Sequence, residues 1–217
     1  MPLLRSATGV IAVLTAIAFL LVLAVVGEGR AFALGGFIPA RVAGWISLPG
    51  AVPTPLTPLT AALLHAGLAH LAFNLLILLY CGVRLETVIG PARLVLLYLL
   101  GAYGAAAAQW FMDPVAAVPM VGASGAVSAL VGAFAVRFGQ AKRVTGSVGL
   151  DRAIHVIWLL VAWVVLQLMV DWMGAMEGTL IATPAHIGGF VVGLLANGWL
   201  GRRTAITHPH GHLPPEG

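Results

Sequence analysis

Charged side chains are scarce in this sequence and make up only 8% of its 217 residues. A soluble domain carries about 25% of Asp, Glu, Lys and Arg. The hydrophobic residues reach 60% instead. A soluble fold of this size could not bury so many apolar side chains, because too much of its surface must face water. The composition therefore excludes a soluble globular protein and predicts that lipid is the main solvent.

The excess of basic over acidic residues is small and dispersed. Eleven Lys and Arg against seven Asp and Glu give a formal net charge of +4. These residues form no run or stripe of the kind that binds nucleic acid, so we predict no nucleic-acid partner. The single cysteine, Cys81, excludes an intramolecular disulfide and is assigned to packing.

Six apolar segments are candidates for crossing the membrane, which takes roughly 20 residues. The connections between them are short except for residues 27–57, which are rich in Gly and Pro. We therefore predict an all-α membrane protein with a six-transmembrane-helix bundle over residues 1–203. A disordered cytoplasmic tail is predicted over residues 204–217. The predicted spans are residues 7–26, 58–80, 94–111, 122–138, 153–173 and 180–200.

Orientation follows from the distribution of Lys and Arg, which accumulate on the cytoplasmic side. If the N-terminus is cytoplasmic, only Arg30 and Arg41 fall outside. The bias predicts a multi-pass protein of a prokaryotic-type plasma membrane with both termini in the cytoplasm. Arg5, the first apolar run and Ala31-Phe32-Ala33 also imitate a secretory signal, although the run exceeds the usual ~7–15 apolar residues. Its cleavage would not change the orientation of the other spans.

Hydrogen-bonding side chains inside a membrane are costly, so each is a functional candidate. The second span holds His65, His70 and Asn74, the fourth begins near Ser124, and the sixth holds His186. Every Asp and Glu lies outside the spans or near their ends. A cation-coupled transporter usually needs a carboxylate at mid-depth, so this class is disfavoured.

These polar residues share one level in the predicted topology. At 1.5 Å per residue, His65 lies ~10 Å and His186 ~9 Å along helices that enter from outside, and Ser124 lies in a first helical turn. His70 and Asn74 are four apart and share a face. His65 would point about 140° away from His70 on a continuous helix.

Small residues recur at every fourth position in the fourth and sixth spans. Such stripes let helix backbones approach closely. We therefore predict that these two helices pack against each other, as a Ser–His hydrogen bond would require. The stripes are Gly125, Ala129 and Ala133 in the fourth span, and Ala185, Gly189 and Gly193 in the sixth.

Together the polar residues form a constellation for acyl transfer. Ser124 would be the nucleophile and His186 its base, and the Ser124 amide, His70 and Asn74 would stabilise the oxyanion. Each residue alone has an ordinary explanation as a helix cap, an interior histidine or interhelical glue. A zinc site from His65, His70 and His186 lacks an acidic or thiolate ligand, so we predict no metal and no cofactor.

At this point the motifs resemble those of the rhomboid intramembrane serine proteases, over roughly residues 56–200. The resemblance implies a rhomboid-like bundle, with Ser124 as nucleophile, His186 as base, and oxyanion contacts from His70, Asn74 and the Ser124 amide. His65 becomes structural. The matching motifs are Gly122-Ala123-Ser124-Gly125, the second-helix set His65, His70 and Asn74, the pair Gly82 and Glu86, and Ala185-His186 with Gly189 and Gly193.

The sequence also departs from the family pattern. Leu56 and Thr57 stand where the family commonly has Trp-Arg, and Ser128 stands where a tyrosine often packs on the catalytic histidine. Neither departure removes a reacting group. The leading hypothesis is an endopeptidase acting on transmembrane protein substrates in the lipid bilayer, and the alternative is an inactive rhomboid-like protein that binds membrane clients.

Overall fold

The computed structural model describes residues 5–176 and 181–196, and within these ranges the regular structure is helical apart from an isolated bridge between Phe37 and Met120. A π-helical turn, Val22–Val26, extends the first helix, and a 3-10 turn, Thr54–Leu56, precedes the fourth. The helices are α1 Ala7–Leu21, α2 Glu28–Gly35, α3 Pro39–Val42, α4 Thr57–Ala61, α5 Leu68–Ile89, α6 Pro91–Met112, α7 Ser124–Phe138, α8 Val148–Met176 and α9 Thr183–Ala196.

Four of these helices are long and apolar enough to cross a membrane: α1 with its π-helical turn, α5, α6 and α8. The described parts of α7 and α9 are shorter apolar helices. The predicted all-α membrane class is confirmed, whereas the count of six spans stays a prediction. The predicted tail, residues 204–217, lies outside the described residues.

The second predicted span, residues 58–80, is wrong as a single helix. The chain forms the short helix α4, leaves helical structure, and starts α5 at Leu68. Gly67 precedes α5 with a φ of 89°, a left-handed conformation that interrupts a right-handed helix. His65 therefore lies in the break, and its predicted depth of ~10 Å along a helix and its 140° offset from His70 do not apply.

The long first connection is folded against the segment that leads into α7. Phe37 and Met120 exchange two backbone hydrogen bonds, at 3.0 and 2.8 Å, and the Ala40 amide donates to the Ala116 carbonyl. Further along, the Gly122 amide donates to the Ala61 carbonyl at the end of α4, at 2.9 Å. These contacts fix the path of the chain just before Ser124.

Glu86 on α5 anchors the start of α1. Its carboxylate accepts hydrogen bonds from the Ala7 amide at 2.8 Å, the Thr8 amide at 2.9 Å and the Thr8 hydroxyl at 2.7 Å. The first amides of a helix have no partners within it, so this carboxylate supplies them. Gly82, one turn earlier, leaves room for Thr8, since a Cβ there would lie 2.8 Å from its methyl group.

The core of the bundle is the mutual contact of α6, α7 and α9. A Cβ at Gly189 would overlap the Gly125 carbonyl oxygen, and a Cβ at Gly193 would overlap that of Ala129. Gly125 in turn packs against Ala105 of α6. The predicted close packing of α7 and α9 is thus present, and it is made by backbone against backbone.

We expect Gly189→Ala to separate α7 from α9, because the new methyl group meets backbone that cannot rotate away. Overpacking of this kind costs about 1–3 kcal/mol. The matched control is Gly149→Ala in α8, where an added Cβ meets no atom within 4 Å. Thermal unfolding in one detergent compares the two. Equal midpoints would show that the α7–α9 contact is not tight.

Candidate active site

Ser124 and His186 are joined by a hydrogen bond between Oγ and Nε2, 2.8 Å long. Ser124 is the first residue of α7, and His186 lies in the first turn of α9. Both helices therefore begin at the same level of the bundle. The bond follows from the close packing of these helices, which brings their first turns within reach of short side chains.

The second nitrogen of the His186 ring is also held. Nδ1 lies 2.7 Å from Oε1 of Gln167, a residue of α8 that is only 6% exposed. Our sequence analysis did not single out Gln167. The signal was available, because an amide inside an apolar span meets the same criterion that selected Asn74.

Ser128 does not take over the place of the family's tyrosine. Its hydroxyl donates to the Ser124 carbonyl at 2.7 Å, along its own helix. The aromatic contacts near α9 come from Trp163, whose Nε1 donates to the His186 carbonyl at 3.3 Å and whose ring stacks on Phe190 at 4.7 Å. These contacts fix the backbone of α9 near His186, whereas Gln167 holds the imidazole.

His65 supports the loop before Ser124. Its Nε2 accepts a hydrogen bond from the Ala123 amide at 3.3 Å, so its proton belongs on Nδ1, which faces the Leu63 carbonyl at 3.4 Å. The ring is almost fully buried. This contact is consistent with a structural part for His65, through a break in the helix that the sequence analysis did not predict.

His70 lies in the first turn of α5, and its ring centroid is 5.0 Å from that of His65. The Ala66 amide donates to its Nδ1 at 3.3 Å, which leaves the proton on Nε2. Gly122 has a φ of 119°, and a Cβ there would lie 2.7 Å from His70 Nε2 and 3.6 Å from Ser124 Oγ. Glycine is thus required at 122, and the Nε2–H donor of His70 and the Ser124 hydroxyl border the same space at Gly122.

Asn74 is buried one turn further along α5. Its side-chain amide donates to the His70 carbonyl at 3.0 Å. One of its two N–H groups is therefore engaged within its own helix. The structure brings Asn74 close to His70, as the spacing predicted, and its action on a substrate stays a prediction.

A cavity lies beside Ser124, and most of its walls are small residues, so backbone groups border it closely. Among the described residues, no group of three or more His, Cys, Asp or Glu has a geometry that could hold a metal ion. The nitrogens His65 Nε2 and His70 Nδ1 already accept backbone hydrogen bonds. The cavity walls include Ala61, Ala105, Gly122, Gly125, Ala182 and Ala185.

The fold and site define a helical integral membrane protein in which a serine and a histidine from neighbouring helices are hydrogen-bonded. A sequence model of the rhomboid domain matches residues 55–203. The chain belongs to the rhomboid family, whose members are usually intramembrane serine proteases that act on membrane-protein substrates.

Curated relatives agree with this assignment. The chain is 31% identical over 159 residues to RHOMBOID-like protein 4 of Arabidopsis thaliana, covering 64% of this chain and 35% of the relative. It is 29% identical over 144 residues to rhomboid protease GluP of Bacillus subtilis, covering 66% and 25%. It is 31% identical over 146 residues to rhomboid protease GlpG of Yersinia pestis, covering 67% and 48%. The matched region thus spans from a quarter to about half of these relatives.

Proposed function

We propose that this chain is a serine endopeptidase that hydrolyses peptide bonds in or near the transmembrane segments of membrane proteins. The observation that supports this most directly is the 2.8 Å bond between Ser124 Oγ and His186 Nε2. A serine is a weak nucleophile until an adjacent base removes its proton. An imidazole held at both nitrogens is such a base.

In the proposed reaction His186 acts first as a general base and then as a general acid. Nε2 accepts the Ser124 proton while Oγ attacks the scissile carbonyl carbon, and the protonated ring then donates to the leaving amine. This leaves an acyl ester on Ser124. A water molecule, deprotonated by the same nitrogen, hydrolyses the ester and restores the serine. No metal or cofactor takes part in these steps.

The charge that develops on the carbonyl oxygen needs donors. Ser124 begins α7, so its amide belongs to the first turn, where N–H groups lack helical partners and the helix dipole is positive. The Nε2–H of His70 lies next to the same loop. We propose that these two groups and Asn74 form the oxyanion hole.

The substrates that fit this site are transmembrane segments with a locally unwound stretch. A regular helix shields its backbone, so a scissile bond must leave helical structure to reach Ser124. Residues with low helix propensity, such as Gly and Pro, favour that unwinding. We propose cleavage near the outer end of the substrate span, because Ser124 and His186 lie in the first turns of helices that enter from outside in our orientation.

A second candidate is a rhomboid-like protein that binds membrane clients without cutting them. The observation in its favour is Ser128, whose hydroxyl is turned to its own helix and offers no ring to His186. Leu56 and Thr57 also favour this second candidate, because they lack the indole and guanidinium groups common at these positions in the family. Thr57 instead donates to the Thr54 carbonyl at 2.7 Å.

The first test compares the protein with its Ser124→Ala and His186→Asn variants in one lipid mixture. We expect the protein to cleave part of a panel of single-span substrates and to be labelled at Ser124 by a fluorophosphonate. Both variants should fall to the background level of the assay, because neither residue has a substitute. Folding is checked by thermal unfolding. Labelling of a folded His186→Asn variant at the normal rate would contradict the proposed base, and client binding without any cleavage would favour the second candidate.

Asn74 should behave differently from the nucleophile. Removal of one oxyanion donor costs about 10²–10³ in kcat, so Asn74→Ala should keep measurable activity where Ser124→Ala has none. Added to Ser124→Ala, it should change almost nothing, because the groups act as a unit. The measurement is kcat for the three variants with stability followed in parallel. A stability loss at full kcat would make Asn74 interhelical glue.

We also propose that both termini are cytoplasmic in a prokaryotic-type plasma membrane, because only Arg30 and Arg41 then lie outside. Cysteine accessibility tests this in Cys81→Ala cells. Ala117→Cys, in the exposed loop after α6, should react with an impermeant maleimide in intact cells. Val144→Cys, in the exposed loop before α8, should react only after permeabilisation. The reverse pattern would overturn the orientation.

A further inference from the structure

The helix α8 buries very little of its length. Among its described side chains only Asp151 and Gln167 are buried, and both are polar. Asp151 is accounted for locally, since it accepts hydrogen bonds from Val144 and Thr145 in the preceding loop. The hydrogen bond of Gln167 is not local, because it crosses from α8 to His186 on α9.

The surroundings of Gln167 make this contact specific. The adjacent Leu166 and Leu168 are 48% and 55% exposed and face the lipid side of α8. Packing alone would be served by another leucine, because a buried amide costs free energy unless it is hydrogen-bonded. The Gln167 amide instead faces the His186 ring, with Oε1 at 2.7 Å from Nδ1.

We propose that Gln167 is a positioning residue that sets the tautomer and orientation of His186. The proposal rests on the function proposed above. When Oε1 of Gln167 accepts a hydrogen bond from Nδ1–H of His186, the lone pair of His186 Nε2 is left facing Ser124, as a general base requires. Gln167 does not touch the substrate. A neutral amide supplies the orienting part of what a carboxylate does in a Ser-His-Asp triad, without its charge.

The orientation of the Gln167 side-chain amide determines which nitrogen of His186 carries the proton. If Nε2 of Gln167 faced the ring instead, it would donate to Nδ1, and the imidazole proton would move to the nitrogen that faces Ser124. His186 could then not accept the serine proton. The tautomer of His186 is therefore the direct observable of the proposal, and it can be measured without any substrate.

The first arm of the test measures the NMR signals of the imidazole nitrogens after labelling with 15N-histidine. It compares the unmodified protein with the Ser124→Ala variant. The His186 signals are assigned by their loss in His186→Asn. We expect the Nδ1–H tautomer in both proteins, because Gln167 still holds the ring when the serine hydroxyl is gone. An Nε2–H tautomer in Ser124→Ala would overturn the proposal.

The second arm uses Gln167→Met and Gln167→Glu. Met has a similar length but at most a weak acceptor, so His186 should lose its single tautomer. The rate of fluorophosphonate labelling should fall by about 10- to 100-fold, the loss found when the hydrogen-bond partner of a metal-binding histidine is removed. Glu keeps an oxygen acceptor in either protonation state and should restore the Nδ1–H tautomer and most of the rate. For Gln167→Met acting on a peptide substrate, kcat should fall and KM should stay constant.

The matched control is Gln109→Met, which makes the same chemical change in α6, where Oε1 of Gln109 is buried without a hydrogen-bond partner. It should leave labelling and tautomer unchanged. An unchanged His186 tautomer in Gln167→Met would show that Gln167 only joins two helices. Absence of labelling in the unmodified protein would contradict the proposed protease function. The His186 tautomer would then still test whether Gln167 positions the imidazole.

Discussion

The contact of α7 with α9 is the constraint on which the site depends. Gly189 and Gly193 lie against the carbonyl oxygens of Gly125 and Ala129, so the two backbones are in direct contact and leave no room for a Cβ. Without a hydrophobic driving force between helices in lipid, such packing is what holds a membrane bundle together. The same closeness lets a serine and a histidine, both short side chains, meet at 2.8 Å. The packing of the bundle and the hydrogen bond between Ser124 and His186 therefore have one origin.

Much of this arrangement was predictable from the sequence, because its signals are local and periodic. The stripes through Gly125 and Gly189 specify which helix faces touch, and the isolated Ser124 and His186 stand out against apolar surroundings. The lipid environment sharpens these signals, since it penalises every polar side chain that lacks a purpose. Composition alone predicted the lipid environment, and the length of the apolar segments predicted the all-α class.

Two features of the structure were not predicted from the sequence. The break before α5 depends on the left-handed backbone of Gly67 and on Gly122 binding the Ala61 carbonyl, and neither is visible in hydropathy. As a result His65 and His70, placed on different helix faces by periodicity, have their rings 5.0 Å apart. Gln167 could have been selected as an amide inside an apolar span, but its pairing with His186 could not be predicted, because no spacing along the chain relates residue 167 to residue 186.

The length of α7 has a consequence for its place in the bilayer. Its 15 residues are about 22 Å long, whereas the hydrocarbon core is about 30 Å thick. A helix this short can lie at membrane depth without unsatisfied backbone only where protein, and not lipid, surrounds it. Most residues of α7 are buried against the other helices, so α7 meets this condition. The depth of Ser124 is therefore held by the neighbouring helices and not by direct contact of α7 with the acyl chains.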